Sequence, residues 1–214
     1  MNTNYILLSE KKTRKRKPGE CFYFSFKNGD SFLGVVLCVG LDWGIWYEKR
    51  CVILFFKNKL LIEELSNEDY LNSIISNYEN LAMPPRIMDN SGWAFGFYKS
   101  FAQIDVHKTI GYLNDVTFYN DAFGYVQNRH EEIVQVNNLY LCGIQTIANC
   151  YGVETLIEIS MDYNFIEHPK ERFNPYFYID NIAKEEYQLS IPYWYYKAKK
   201  RLNIDNNHQT VKNC

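Results

Sequence analysis

Apolar and polar residues alternate most regularly at the start of the chain, where Phe22, Phe24 and Phe26 are interleaved with Tyr23, Ser25 and Lys27. A period of two marks a strand with one buried face. Asn28-Gly29 follows, and residues 31–39 alternate less cleanly. Asn-Gly between two such runs predicts a hairpin with a two-residue type I′ turn, because both residues tolerate positive φ. That loop sets Lys27 against Asp30, Phe26 against Ser31, Phe24 against Leu33 and Phe22 against Val35. One face then gathers Phe22, Phe24, Leu33, Val35 and Leu37 as core. On the other face Tyr23 lies over the bare backbone of Gly34.

The same reading predicts strands over residues 43–47, 51–56, 93–98, 117–126 and 133–136. A helix is expected after Ser66, with Ser66 as N-cap and Asp69 at the third helical position. Leu71, Ile74, Ile75 and Tyr78 then recur at helical spacing, and Pro84-Pro85 must end the run. Asn90-Ser91-Gly92 reads as a turn. Residues 152–160 fit two templates: Val153, Leu156 and Ile157 suit a helix, while Thr155, Ile157 and Ile159 suit a strand. The helix is preferred. After Asn164 the pairs His168-Pro169, Asn174-Pro175 and Ile191-Pro192 cut the chain into short pieces. Residues 192–203 read as a last helix, with proline in its first turn and Lys197, Lys199, Lys200 and Arg201 at the negative end of its dipole. Residues 204–214 read as frayed, and no internal repeat is evident.

These elements predict an α+β fold: a mainly antiparallel, strongly twisted sheet, or a small partly open barrel, with a few packed helices. Three parts are expected: a basic flexible lead-in over 1–17, an α+β domain over 18–164, and a C-terminal extension with a basic helix over 165–214. The length of 214 residues suits one such domain with an extension. The 18 Tyr, 14 Phe and 4 Trp supply ample core or interface material. The net charge of −2 counts against a molecule built as a whole to hold nucleic acid. The basic run from Lys11 to Lys17 reads first as a solvated lead-in, and second as an arm for phosphates or an acidic partner. It follows the short apolar patch at residues 5–8 instead of preceding it, so no secretory signal is expected. No apolar segment is long enough to cross a bilayer. The six cysteines form no C-x-x-C pair and read as buried thiols in a reducing cytoplasm.

No catalytic constellation holds. The chain contains neither G-x-x-x-x-G-K-[ST] nor G-x-G-x-x-G, and no G-x-S-x-G elbow. His130-Glu131-Glu132 begins like a zinc-protease helix, but Val134 stands where the second ligand belongs. His107, His130, His168 and His208 are scattered, and a lone histidine without a partner at useful spacing is an ordinary residue. Asp115, Asp121, Glu131 and Glu132 offer paired carboxylates only in principle. No catalytic, cofactor or metal residue is therefore assigned, and no cofactor is expected.

The block Lys15-Arg16-Lys17-Pro18-Gly19-Glu20-Cys21-Phe22-Tyr23-Phe24-Ser25-Phe26-Lys27-Asn28-Gly29-Asp30-Ser31-Phe32-Leu33-Gly34-Val35-Val36-Leu37 resembles the immunity protein 26 family of bacterial polymorphic toxin systems. Basic residues, Pro-Gly-acid, an apolar strand, a turn with Gly and a strand with Gly and Val-Leu make up that pattern. Here Glu20 stands where Asp is usual, and Phe24-Ser25-Phe26 replaces aliphatic-Pro-Leu. Ser91-Gly92-Trp93 and Phe118-Tyr119-Asn120-Asp121-Ala122-Phe123-Gly124 are similar to later stretches of the pattern. Residues 138–159 would be its closing loop and helix. The resemblance spans residues 15–160.

It implies a cytoplasmic, non-enzymatic protein that binds a cognate toxin domain and blocks it, with no membrane partner. The family lends no fixed contact motif, so partner-binding residues and oligomeric state stay unassigned. Trp43 and Trp46 read first as core, with a role as exposed anchors as the alternative for both. Glu63, Glu64, Glu68 and Asp69 read first as a solvated helix start, and second as an acidic cluster that could steer a basic toxin. The alternative function is a nucleic-acid-binding module, combining residues 11–17 and 197–201 with aromatic strands as stacking platforms.

Overall fold

The first hairpin organises the sheet, and its turn differs from the expected one. In the computed structural model, which describes residues 3–10, 15–111, 115–120, 123–135 and 141–160, β1 (Glu20–Ser25) pairs antiparallel with β2 (Ser31–Val39). Phe22 lies opposite Gly34, Tyr23 opposite Leu33 and Phe24 opposite Phe32. This is one residue out of the predicted register. Phe26 N–H donates to Asp30 O at 2.8 Å and Gly29 N–H to Phe26 O at 2.9 Å. Only Gly29 of the loop has positive φ, at 90°. The connection is therefore a three-residue loop, a type I turn closed by a left-handed glycine. Asn28 Oδ1 accepts from Asp30 N–H at 3.0 Å and fixes this shape.

A one-residue slip moves every side chain of a strand to the opposite face. Here both faces of β2 are apolar and covered, so the pattern expresses no preference and the turn decides. Phe22, Phe24, Phe26, Phe32 and Val36 share one core, while Cys21, Tyr23, Leu33, Val35 and Leu37 belong to the other. Phe22, not Tyr23, covers Gly34, and a Cβ on Gly34 would overlap its ring.

Six further strands complete an open eight-stranded sheet of order β5-β1-β2-β3-β4-β8-β6-β7. They are β3 (Cys51–Phe55), β4 (Arg86–Met88), β5 (Lys99–Gln103), β6 (Thr117–Asn120), β7 (Tyr125–Asn128) and β8 (Cys142–Ala148). Neighbours are antiparallel except that β8 runs parallel to both β4 and β6. The class is α+β, and the sheet does not close into a barrel.

Helix α1 (Glu68–Ile75) buries Leu71, Ile74 and Ile75 on one face of the sheet. Each such side chain contributes about 1.5–3 kcal/mol. Its cap is Asn67, not Ser66: Asn67 Oδ1 accepts from Tyr70 N–H at 3.2 Å. A 3₁₀ turn over Ile62–Glu64 carries the chain one residue further before the helix begins. The helix also ends well before Pro84. Asn80 Nδ2 donates to the Ile74 carbonyl at 3.0 Å and closes its last turn, and Tyr78 falls in a separate 3₁₀ turn. On the opposite face lie the short α2 (Ser91–Ala94), α4 (Cys150–Ser160) and the N-terminal segment. The fourth helix, α3 (Val106–Thr109), starts at its Asp105 cap. Two covered faces make three layers, which is why β1, β2 and β3 are buried along their length, save the half-buried Val39 at the end of β2.

Several strand expectations fail for local reasons. Residues 93–98 form the end of α2 and a turn at Gly96, φ 82°. Along a strand Trp93 and Tyr98 would face opposite sides. The turn instead brings both onto Phe22, at 4.6 and 4.8 Å between centroids. Residues 43–47 are loop, reversed at Gly44 (φ 89°). The run 117–126 is two strands, β6 and β7, split at Gly124, whose N–H donates to Asn120 O at 2.8 Å. Of residues 133–135, the described part of the expected strand over 133–136, only Ile133 makes a bridge, to Gln127. Strand β8 lies where a closing loop was expected, whereas α4 agrees with the helical reading of 152–160.

Residues 3–10 are not a free lead-in. Tyr5 is buried and bridges Phe26, and Ile6 N–H donates to Ser25 O at 2.8 Å. Thr3 Oγ1 donates to Glu154 Oε2 at 2.8 Å and Asn4 N–H to Glu154 Oε1 at 2.6 Å, tying this segment to α4. Arg16 of the basic run is buried as well. It pairs with Glu20 at 2.9 Å and lies 4.5 Å from the Trp93 ring centroid. Ser100 Oγ donates to the same Glu20 carboxylate. Residues 165–214, with the expected basic helix, lie outside the described residues.

Candidate partner-binding site

Two loops meet at the end of the sheet where β2 hands over to β3 and β7 ends. The first covers residues 40–50. Leu41 and Trp43 turn inward, and Trp43 stacks edge-on against Tyr47 and Phe118 at 5.3 and 5.1 Å. Its Nε1–H donates to Asn128 O at 3.0 Å. Gly44 then reverses the chain, with Tyr47 N–H donating to Gly44 O at 2.9 Å. The residues on that turn, Ile45 and Trp46, are 76% and 74% exposed. Arg50 Nε–H donates to the Trp46 carbonyl at 3.1 Å and holds the loop from behind.

The second loop covers residues 128–133 and is built around the buried Asn128. Asn128 Oδ1 accepts from His130 N–H at 2.9 Å and Glu132 N–H at 3.1 Å. Its Nδ2 donates to Glu132 Oε2 at 2.7 Å. Glu131 sits inside this turn at φ 66°, the left-handed region. Ile133 beyond it is 71% exposed. The loops are joined twice: Asp42 N–H donates to Arg129 O at 3.0 Å, and Asp42 Oδ2 lies 2.6 Å from His130 Nδ1.

The result is a braced projection carrying a tryptophan and two isoleucines in water. Trp is enriched among residues that dominate binding energy, and a braced loop loses little entropy on docking. Of the two tryptophans expected in the core, then, Trp43 is there, whereas Trp46 is exposed, because the chain reverses at Gly44 between them. Ile45, Ile133 and the Asp42–His130 pair had not been singled out. The signal for the first was its position directly after Gly44, where a turn leaves a side chain without neighbours.

Other candidates fall elsewhere. Glu63, Glu64, Glu68 and Asp69 line the 3₁₀ turn and the first turn of α1, with Asn67 Nδ2 donating to Glu64 Oε2 at 2.9 Å. Asp115 Oδ1 accepts from Val116 N–H at 2.7 Å, while Asp121 lies outside the described residues. His107 is in α3 and exposed; His168 and His208 lie outside the described residues. The aromatic residues of β1 are buried.

Cys21, Cys38, Cys51, Cys142 and Cys150 are buried free thiols. Burial pushes Cys21, Cys51 and Cys142 up to about 12 and Cys38 and Cys150 up to about 11, so none is a nucleophile near neutrality. Cys214 lies outside the described residues. Among the described residues no group of three or more His, Cys, Asp or Glu could hold a metal ion, and no helix is long and apolar enough to cross a membrane.

No protein-family model, curated protein or solved structure matches the chain.

Proposed function

We propose that this chain is an immunity-type protein of a bacterial polymorphic toxin system, acting in the cytoplasm by binding a cognate toxin domain and blocking it. It works by occupying its partner, without catalysis. The observation that carries this reading is the exposed Ile45–Trp46 pair on a loop fixed by hydrogen bonds to Arg129, Asn128 and Arg50. A side chain as apolar as tryptophan, held rigidly in water, supports a site that is completed by another protein. The resemblance of residues 15–37 to the immunity protein 26 family supports the same reading, and that block is the central hairpin from which the Trp46 loop departs.

The test is co-expression. The C-terminal domain of the polypeptide encoded directly upstream is produced alone, with this chain, and with its Trp46→Ala variant. Toxicity of the domain alone, restored growth with the intact chain, co-purification of the two, and loss of both effects in Trp46→Ala are expected. A chain that neither restores growth nor co-purifies overturns the proposal.

A further inference from the structure

The N-terminal segment and the turn after α2 form an apolar patch beside the start of α4. Leu8 and Ser9 N–H both donate to Gly96 O, at 2.9 and 3.2 Å. Leu7 lies over the same glycine, its Cδ1 2.8 Å from where a Cβ would stand. Phe95 and Phe97 flank Gly96 with their rings 5.9 Å apart, and Tyr151 of α4 stands 5.9 and 6.3 Å from them. Leu7 is 68% and Phe95 41% exposed, while Phe97 and Tyr151 are half-buried. The patch is fixed from below: Tyr5 stacks on Phe97 at 5.0 Å, and Glu154 of α4 holds Thr3 and Asn4. A contiguous apolar surface held in one shape is a contact surface.

We infer that the occupant of this patch is the stretch of the same chain over residues 165–178, which carries Phe165, Phe173, Tyr176, Phe177 and Tyr178. These residues lie outside the described ones, and three observations on either side of them select the pairing. The first is the face. Helix α4, from which the chain continues at Ser160, belongs to the layer that contains Phe97 and Tyr151. The exposed pairs Ile45–Trp46 and Leu61–Ile62 ride on segments packed against the opposite face, so the chain would have to round a sheet edge to meet them. The second is reach. Tyr151 stands about 14 Å back along the helix from Ser160, a span that about five extended residues cover, so every aromatic residue from Phe165 onward can return to it. The third is chemistry and cost. Five aromatic residues within 18 positions of the helix end offer more apolar area than a solvated connection needs, and a short loop closes at less entropic cost than the longer one to residues 193–196. The inference goes beyond the binding function proposed above and does not depend on it. It leaves Ile45–Trp46 as the surface open to another protein.

The experiment is photo-crosslinking within the full chain. A benzophenone amino acid is placed at Leu7, an exposed position whose substitution leaves the core intact, and the dilute protein is irradiated, digested and mapped by mass spectrometry. Adducts within residues 165–178 of the same polypeptide are expected. Adducts confined to residues 191–214, crosslinked dimers, or no adduct at all overturn the inference. The same amino acid at Ile45 is expected to miss residues 165–178, and equal adducts from both positions also overturn it. A second readout uses Leu7→Cys and the rate at which a maleimide labels that position. Adding Phe173→Ser and Phe177→Ser should raise this rate by about threefold or more, because a covered side chain reacts only when its cover opens. An unchanged rate refutes the assignment. None of these measurements contains a toxin domain, so their outcome leaves the co-expression test untouched.

Discussion

Replacing Gly34 by alanine tests the register of the central hairpin and the packing built on it. The added methyl group meets Phe22 Cζ, Cε2 and Cε1 inside normal contact distance. Carbon atoms rest about 3.5–4.0 Å apart, so the ring has to retreat by more than ~1 Å. It has nowhere to go. Trp93, Tyr98 and Phe55 stand 4.6, 4.8 and 6.0 Å away between centroids, and Phe22 itself is fully buried. Forcing a methyl into a filled core costs about 1–3 kcal/mol. Removing a glycine from the unfolded chain returns about 0.5–1 kcal/mol of that. The net expectation is a loss of about 1–2 kcal/mol, read as a lower urea midpoint at constant slope, or about 2–4 °C in Tm per kcal/mol. Phe22→Leu shortens the side chain and leaves space for the methyl. In a double-mutant cycle Gly34→Ala with Phe22→Leu should therefore be less damaging than the sum of the two, by about 1 kcal/mol. Had the strands paired through a two-residue turn, Tyr23 would cover Gly34 and Tyr23→Leu would be the suppressor. Additivity within about 0.5 kcal/mol for Phe22, or suppression by Tyr23→Leu, refutes the packing argument.

Trp46→Ala should leave the urea midpoint within about 0.5 kcal/mol of wild type, whereas Trp43→Ala, in the same loop, should lower stability by about 3–5 kcal/mol. Equal effects would mean that the loop is not divided into an inward and an outward half. Glu20→Gln leaves the buried Arg16 guanidinium without its counter-charge and should cost about 3–5 kcal/mol, while Arg16→Met with Glu20→Leu should recover much of it; a single variant as stable as wild type removes the ion pair from the account. The thiols of Cys21, Cys38, Cys51, Cys142 and Cys150 keep their protons in the folded state up to about pH 11–12 but ionise from pH 9 in the unfolded chain. Their stabilising effect is complete below pH 9 and is lost as the pH rises through that window, so the urea midpoint should fall there. Substituting Cys21, Cys142 and Cys51 by alanine should blunt that alkaline fall, and an unchanged pH profile would disprove its assignment to the thiols.

The existence of the first hairpin was legible because three phenylalanines at period two precede Asn28-Gly29. Its register was not, because β2 is apolar on both sides and either pairing buries it equally well; one hydrogen bond, Phe26 N–H to Asp30 O, separates the two readings. Helix α1 was legible from Leu71, Ile74 and Ile75, but its boundaries depend on which of two adjacent cap formers, Ser66 or Asn67, the preceding turn delivers. Strand β8 was missed because its partners, β4 and β6, run parallel to it and lie far away in sequence, so no local turn announces it. The candidate site was half legible. Both tryptophans of the 40–50 loop are equally good anchors by composition, and only the reversal at Gly44 separates the buried one from the exposed one. The Asp42–His130 contact joins residues 88 apart, a distance over which spacing carries no information.

The bonds from Thr3 and Asn4 to Glu154 have a consequence in time. They span 151 and 150 residues, and α4, which they hold, belongs to the core that includes Phe22, Phe24 and Phe26. On the ribosome the hairpin emerges long before that helix. At about 5–20 residues per second, this face, covered first by Tyr5, Trp93 and Tyr98, waits several seconds to some tens of seconds for the last part of its cover. Until Cys150, Val153 and Ile157 arrive, that part of the layer stays open to water, and a truncation that removes α4 keeps it open.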